Sequence, residues 1–428
     1  MRIKVLVVGS GGREHALLWA LSRSPQETQL YAAPGNGGTA ALATNVPIKA
    51  EDIQGIVTFA SAERIDLVVV GPEVPLAMGL VDRLKEAGIR AFGPTAGAAC
   101  IESSKAYSKT FMRDHGIPTA GFGQFTDYDS ARAYLDAHPA PIVLKADGLA
   151  AGKGVLVCQS DGEAREALRA VMLDHRFGSA GDRVVIEEFL TGQEVSVLAF
   201  ADGKHVEPMI LSQDHKAAYD GDRGPNTGGM GCYAPTRVLS APMLQRVTSE
   251  VLQPAVDGLA ALGTPYVGVL YAGLMVEGDD FTVLEFNCRF GDPETQVILP
   301  LLETDLLSVL EACVSGELKQ IALRWTGQTA ACVVLASGGY PGDYERGLAI
   351  EGLEQVSQGD DVLVFHAGTR QDGRRTITDG GRVLGVTGIA ADLPGALSRA
   401  YGAAEKITWP GAFYRRDIGA RGLSQEGR

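Results

Sequence analysis

A chain of 428 residues exceeds one ordinary core, so its 45% hydrophobic and 21% charged residues are expected to form two to four globular domains. The formal charge of −14, with 38 Lys and Arg against 52 Asp and Glu, excludes the global positive field of a nucleic-acid binder. The six cysteines include no CxxC pair, which excludes a zinc ribbon or disulfide framework and points to reduced thiols.

The first expected strand, residues 3–8, begins directly after Met1, with no separate leader pattern. No uninterrupted apolar stretch of about 18 residues occurs, so a cytoplasmic protein without a membrane partner is expected. Strands at 3–8, Leu67–Val70 and 90–92 alternate with helical patterns at 13–22 and 77–87, which predicts a doubly wound parallel sheet. A new unit begins near Glu102, where Ser103 or Ser104 caps a helix running to His115, closed by Gly116 and Pro118. Strands Ile142–Ala146 and Val155–Cys158 then flank a glycine loop, followed by a helix at 162–174 and the strand Val184–Glu188. A polar loop at 214–231 precedes a helix at 241–262 and two strands, 268–276 and 281–286. This stretch reads as α+β. Strands Thr329–Ala336, Val362–His366 and 382–387 with a helix at 393–406 form a third, smaller α+β unit. The expected class is multidomain α/β and α+β, divided at 1–101, 102–324 and 325–428.

Five segments carry chemistry. GSGGREHA, residues 9–16, sits at a strand-to-helix junction, where free N–H groups and the helix dipole suit an anion. A dinucleotide fingerprint needs a third glycine where Glu14 stands, so a phosphate or carboxylate site fits better, beside the plainer reading of a βα turn. DGLAAGKG, residues 147–154, fails the P-loop pattern because only three residues separate Gly148 from Gly152–Lys153 and Gly154 replaces Ser or Thr. Between two strands, it suits a mobile lid over a triphosphate, with Lys145 meeting a phosphate; a plain hairpin is the alternative.

In VVIEEFLTGQE, residues 184–194, backbone around Glu187–Leu190 suits an adenine edge and Glu194 a ribose, although a solvated strand end accounts for it equally. In LEFNCRFGDPE, residues 284–294, Glu285 and Asn287 are two apart and share a strand face, which suits Mg²⁺, and Arg289 continues the alternation toward an anion. The loop at 212–231, with His215, Lys216, Asp220, Asp222, Arg223 and Asn226, has the length and polarity of a substrate loop. No nucleophile–His–acid order is legible.

These segments, with PGNGGT at 34–39 and GPEVPL at 71–76, occur in an order that resembles the ATP-grasp superfamily. Within it, the chain is similar over nearly its whole length to the glycinamide ribonucleotide synthetase family. The resemblance implies a pre-ATP-grasp domain, a two-lobed ATP-grasp fold with a mobile lid lobe at about 120–190, and a C-terminal capping domain. It implies that ATP joins glycine to 5-phosphoribosylamine through glycyl phosphate, which needs no enzyme nucleophile. Lys105, Lys145, Gly152, Lys153, Gly154, Glu187, Phe189 and Glu194 would then hold ATP, and Glu285 and Asn287 would hold Mg²⁺ or Mn²⁺. Arg289, Lys216 and Asp214 would be catalytic. Glycine and 5-phosphoribosylamine would lie among Gly9, Ser10, Gly11, Gly12, Arg13, Gly35, Asn36, Gly37, Pro72, Glu73, His215, Asn226, Gly291, Asp292 and Glu294. A monomer is expected. The rivals are another ATP-grasp ligase, using bicarbonate or formate, and a non-catalytic nucleotide-binding module built on the first glycine turn.

Overall fold

The computed structural model describes residues 2–149, 154–356 and 359–426, so Gly152 and Lys153 lie outside the described residues. The N-terminal sheet is wholly parallel, in the order Thr44–Asn45, Thr28–Pro34, Ile3–Gly9, Leu67–Val70, Ala91–Phe92. Leu6 and Val8 enter one core while Val5 and Val7 enter another, so both faces are covered and the strands read as unbroken apolar runs. The strand order reverses beside Ile3–Gly9, which opens a crevice at the carboxyl ends near Gly9 and Gly71. The helix expected over 77–87 is two helices, Glu73–Ala77 and Leu80–Glu86, because Gly79 between them has φ +84°.

The second sheet is antiparallel, in the order Phe122–Phe125, Val184–Glu188, Ile142–Ala146, Val155–Cys158. Ile142, Leu144, Ala146, Leu156 and Cys158 pack under helices Tyr128–Ala137 and Asp161–Met172. Strand alternation turns Val143, Lys145, Val155 and Val157 the other way, as the roof of a cleft. The floor sheet is antiparallel, in the order Val206–Pro208, Gln193–Asp202, Val267–Glu277, Asp280–Asn287.

The C-terminal sheet runs Gln213–Asp214, Gly231–Ala234, Thr329–Ala336, Arg382–Ala390, Val362–His366, so two of its five strands come from before residue 325. Those two strands are the base of the 212–231 segment, whose tip forms the hairpin Ala217–Tyr219 with Arg223–Asn226. The expected helix 241–262 is helical throughout but relaxes into a π-turn at Thr248–Leu252.

Two histidines join the N- and C-terminal units. The His366 N–H donates to His15 Nδ1 at 2.8 Å, which requires a neutral His15. Burial lowers His15 to about 3, helped by the His366 charge, and burial lowers His366 to about 4. His215 also falls to about 4, through burial and then Arg415 and Arg421. These depressed values favour the fold fully above the ordinary histidine range, and that stability is lost as pH falls from about 6.5 toward 4. Each histidine is expected to cost about 2 kcal/mol between pH 7 and pH 5. Glu102, raised to about 6 by burial, partly offsets this, because protonation there favours the fold. The urea midpoint should therefore drop clearly between pH 7 and pH 5. An unchanged midpoint would mean that these rings are not buried as neutral groups.

Candidate active site

The roof and floor sheets enclose a cleft of about 770 Å³. Phe281 and Val283 of the floor strand point into the core, so strict alternation would bury residues 285 and 287 as well. A β-bulge prevents it. Leu274 pairs with Val283 and Gly273 with Glu285, leaving Leu284 as the extra residue. Beyond the bulge Phe286 and Cys288 take the core side, and Glu285, Asn287 and Arg289 open onto the cleft. The carbonyl of the bulged Leu284 accepts a hydrogen bond from Lys145 Nζ at 3.0 Å.

Burial opposes the Glu285 charge, but Lys216, Lys145, Lys105 and Arg289 outweigh it and hold its carboxyl below the ordinary carboxylate range. Four cations thus gather within reach of the Glu285 carboxylate in a chain of net negative charge. Asn287 Oδ1 accepts from Arg289 Nη2 at 3.3 Å. Among the described residues no three His, Cys, Asp or Glu groups stand close enough to cage an ion. An ionised carboxylate and an amide oxygen on one face fit a hard divalent cation that completes its shell with phosphate and water.

Buried charge ties the roof sheet to the helix Lys105–Asp114. Glu187, 3% exposed, lies 2.7 Å from Lys109 Nζ and 2.9 Å from Lys145 Nζ. Its carboxylate, expected at adenosine, is thus committed to two ammonium groups. Burial lowers Lys109 to about 8 despite this partner. Ser104 caps the helix Lys105–Asp114 by accepting from Tyr107 N–H, and its hydroxyl donates to Asp147 at 3.0 Å. Lys105 Nζ donates to the Gly148 carbonyl at 3.0 Å, so the start of the glycine segment is tethered to that helix. Gly154 and Phe189 line the same cleft.

Asp214, Lys216 and Asn226 enter the opposite half from the 212–231 segment. Lys216 pairs with one oxygen, Oε1, of Glu194, the carboxylate expected at the ribose. Burial opposes the Lys216 charge, but Glu194 and Glu285 more than restore it. Burial and then the Glu294 charge push Asp214 well above its ordinary value, giving it a raised proton affinity. Glu294 accepts from Tyr271 Oη at 2.7 Å and Ser196 Oγ at 3.2 Å. Arg289 Nε lies 3.1 Å from Glu73 and 3.5 Å from Glu102, linking this half to the N-terminal unit.

The first glycine turn departs from expectation. Gly11 N–H donates to Glu14 Oε2 at 2.5 Å and Arg13 N–H to Asp292 Oδ2 at 3.3 Å. Carboxylates therefore fill the helix start that was expected to present these amides to a ligand. Gly9, at φ +127°, allows the fit, since a Cβ there would stand 2.6 Å from Glu14 Cδ. Arg13 Nη1 donates to the Phe290 carbonyl at 3.0 Å, so the turn stitches the N-terminal unit to the RFGDPE segment.

Gly9, Ser10, Gly11, Arg13, Pro72, Glu73, Asp292 and Glu294 do line the cleft. Gly12 and Gly291 are buried against Gln296 and Glu294, and neither lines it. Gly35 and Asn36 line a second chamber of about 640 Å³, which shares Ser10, Gly11, Asp292, Tyr340 and Arg382 with the cleft. Gly37 instead bonds the C-terminal hairpin, its N–H reaching the Thr369 carbonyl at 3.0 Å. His215 is buried away from the cleft, between the Gly231 carbonyl at 3.3 Å and the Gly419 N–H at 3.2 Å.

Comparison with known proteins decides the family. The phosphoribosylglycinamide synthetase N domain matches residues 3–102, its ATP-grasp (A) domain residues 103–295 and its C domain residues 330–421. The chain belongs to the phosphoribosylglycinamide synthetase family. A phosphoribosylamine–glycine ligase of Allochromatium vinosum is 52% identical over 99% of this chain and 100% of its own length. Another, from a Nostoc species, is 53% identical over 98% of this chain and 99% of its own. The crystal structure of phosphoribosylamine–glycine ligase from Thermotoga maritima superposes with a TM-score of 0.84 at 34% identity, covering 97% of this chain and 100% of that one. A biotin carboxylase domain of Hydrogenobacter thermophilus 2-oxoglutarate carboxylase shares the fold, with a TM-score of 0.75 at 18% identity over 96% of this chain and 91% of that one.

Within this family fold, several cleft residues escaped the sequence reading. Lys109 lies four residues after Lys105 and so shares its helix face, a signal that spacing could have supplied. Tyr271 and Arg382 reach the cleft only through strand pairing and the C-terminal sheet, for which no local motif exists.

Proposed function

We propose that this cleft ligates glycine to 5-phosphoribosylamine with ATP, giving glycinamide ribonucleotide, ADP and phosphate, a step of purine biosynthesis. The observation that carries the reading is one cleft in which ionised Glu285 and its four cations adjoin the Asp214–Glu294 acid pair. Lys105 and Lys145 neutralise the ATP phosphates, while Val143 and Val155 of the roof and Met275 and Leu284 of the floor enclose the adenine. Backbone at 187–190 reads the base edge, and Glu194 serves the ribose. A divalent cation, Mg²⁺ or Mn²⁺, held by Glu285 and Asn287, supplies charge neutralisation at the phosphates.

Glycine carboxylate oxygen attacks the γ-phosphorus and ADP leaves, giving glycyl phosphate. The amine of 5-phosphoribosylamine then attacks the acyl carbon, and phosphate departs carrying one former glycine oxygen. Asp214, with proton affinity raised by burial and Glu294, takes the proton that the amine loses. Arg289 and Lys216 offset the phosphate charge in both steps, and the lid excludes water from the acyl phosphate. The chain works as three units, 1–101, 102–324 and 325–428, except that strands Gln213–Asp214 and Gly231–Ala234 complete the sheet of the third, and the roof at about 120–190 moves as the lid. We take the protein as a cytoplasmic monomer; no described helix is long and apolar enough to cross a membrane.

Glycine labelled with ¹⁸O in its carboxylate tests the route. One ¹⁸O should appear in each orthophosphate released. Unlabelled phosphate would rule out the acyl phosphate.

A further inference from the structure

The chain's last segment holds a charged cluster that the reaction does not use directly. Arg415 is 1% exposed, yet its guanidinium is fully engaged. Nε and Nη2 donate to the two oxygens of Asp417, each at 2.8 Å, a bidentate pair. Nη1 donates to the Ala217 carbonyl at 3.1 Å and lies 3.0 Å from Asp222 Oδ1. Ala217 and Asp222 belong to the hairpin at the tip of the 212–231 segment.

Neighbouring groups repeat the grip. Arg416 N–H donates to Asp220 Oδ1 and Gly221 N–H to Asp417 Oδ2, each at 2.8 Å. Arg421 pairs with Asp222, and Gly419 N–H reaches His215 Nε2 at 3.2 Å. The base of the hairpin is closed by Thr227, whose N–H donates to the Lys216 carbonyl at 2.8 Å. Lys216 directly precedes one leg and Asn226 ends the other, and both line the cleft. Among the described residues no cleft-lining residue lies beyond Arg382, so the 415–421 segment supports the cleft from outside it.

We propose that Arg415 is the positioning residue of the acceptor half: it sets the height of the hairpin that carries Lys216 and Asn226. It touches no substrate. The proposal rests on the reading of that half as the site for glycine and 5-phosphoribosylamine. The planar fork meets Asp417, Asp222 and a carbonyl at once, which a lysine ammonium cannot do.

The test compares full-length wild type with Arg415→Met, Arg415→Lys and Asp222→Asn. Arg415→Met should raise KM for glycine or 5-phosphoribosylamine by about 10-fold or more, while Kd for a non-hydrolysable ATP analogue stays within about twofold. Arg415→Lys should recover only part of the loss, and Asp222→Asn should show a smaller shift of the same kind. If Arg415→Met does not fold, the same split in Asp222→Asn, a half-exposed partner, decides the matter. Folded variants with unchanged acceptor KM values overturn the assignment, as does a parallel loss of ATP-analogue affinity, which marks a general structural role. Wild type that forms no glycinamide ribonucleotide removes the functional reading and this assignment with it. Active wild type with unaltered variants removes the assignment alone.

Discussion

Glu285→Ala is expected to lower turnover about 1000-fold at saturating ATP, the scale of losing a charge-stabilising group in a closed site. The thermal transition should stay close to that of wild type. Glu285 lies half-buried on the cleft side of its strand, where its loss opens no cavity in the core. Lys216 keeps Glu194 and Lys145 keeps Glu187 as partners, so the cations left behind are not orphaned. A coupled ADP assay beside a melting curve separates the two readouts. Activity retained at ordinary Mg²⁺ would remove Glu285 from the metal site.

The second large effect is at Lys145. Lys145→Met should weaken ATP binding about 100-fold, because a charge-assisted phosphate contact disappears where water is excluded. It should also cost about 3 kcal/mol of stability, since Glu187 stays buried with Lys109 alone and the bulged Leu284 carbonyl loses its donor. Calorimetric titration with an ATP analogue and urea unfolding measure the two parts. Unchanged nucleotide affinity would show that Lys145 is only a tie between roof and floor.

Much of the fold was legible because its strands are β-branched runs cut by glycine. Leu67–Val70, Ile142–Ala146 and Val184–Glu188 stand where the pattern put them. Thr28–Pro34 escaped because its alanines and terminal proline carry little strand signal, although pairing with Ile3–Gly9 makes it a central strand. The shared face of Glu285 and Asn287 follows from spacing alone. Which face it is does not, since a bulge opposite Gly273 turns it from the core to the cleft, and that pairing is not local. The filled helix start at Gly11 and Arg13 has the same origin, as its second carboxylate, Asp292, stands 279 residues away from Arg13. Arg415 and the hairpin that it grips are likewise joined only by the folded chain.

The central claim is that the two halves of one cleft act in a single ligation, and ADP formation tests it most directly. Purified protein with Mg²⁺ and ATP should release ADP in step with glycinamide ribonucleotide, and only when glycine and 5-phosphoribosylamine are both present. ADP formed equally well without the amine, or with bicarbonate in place of glycine, would contradict the account.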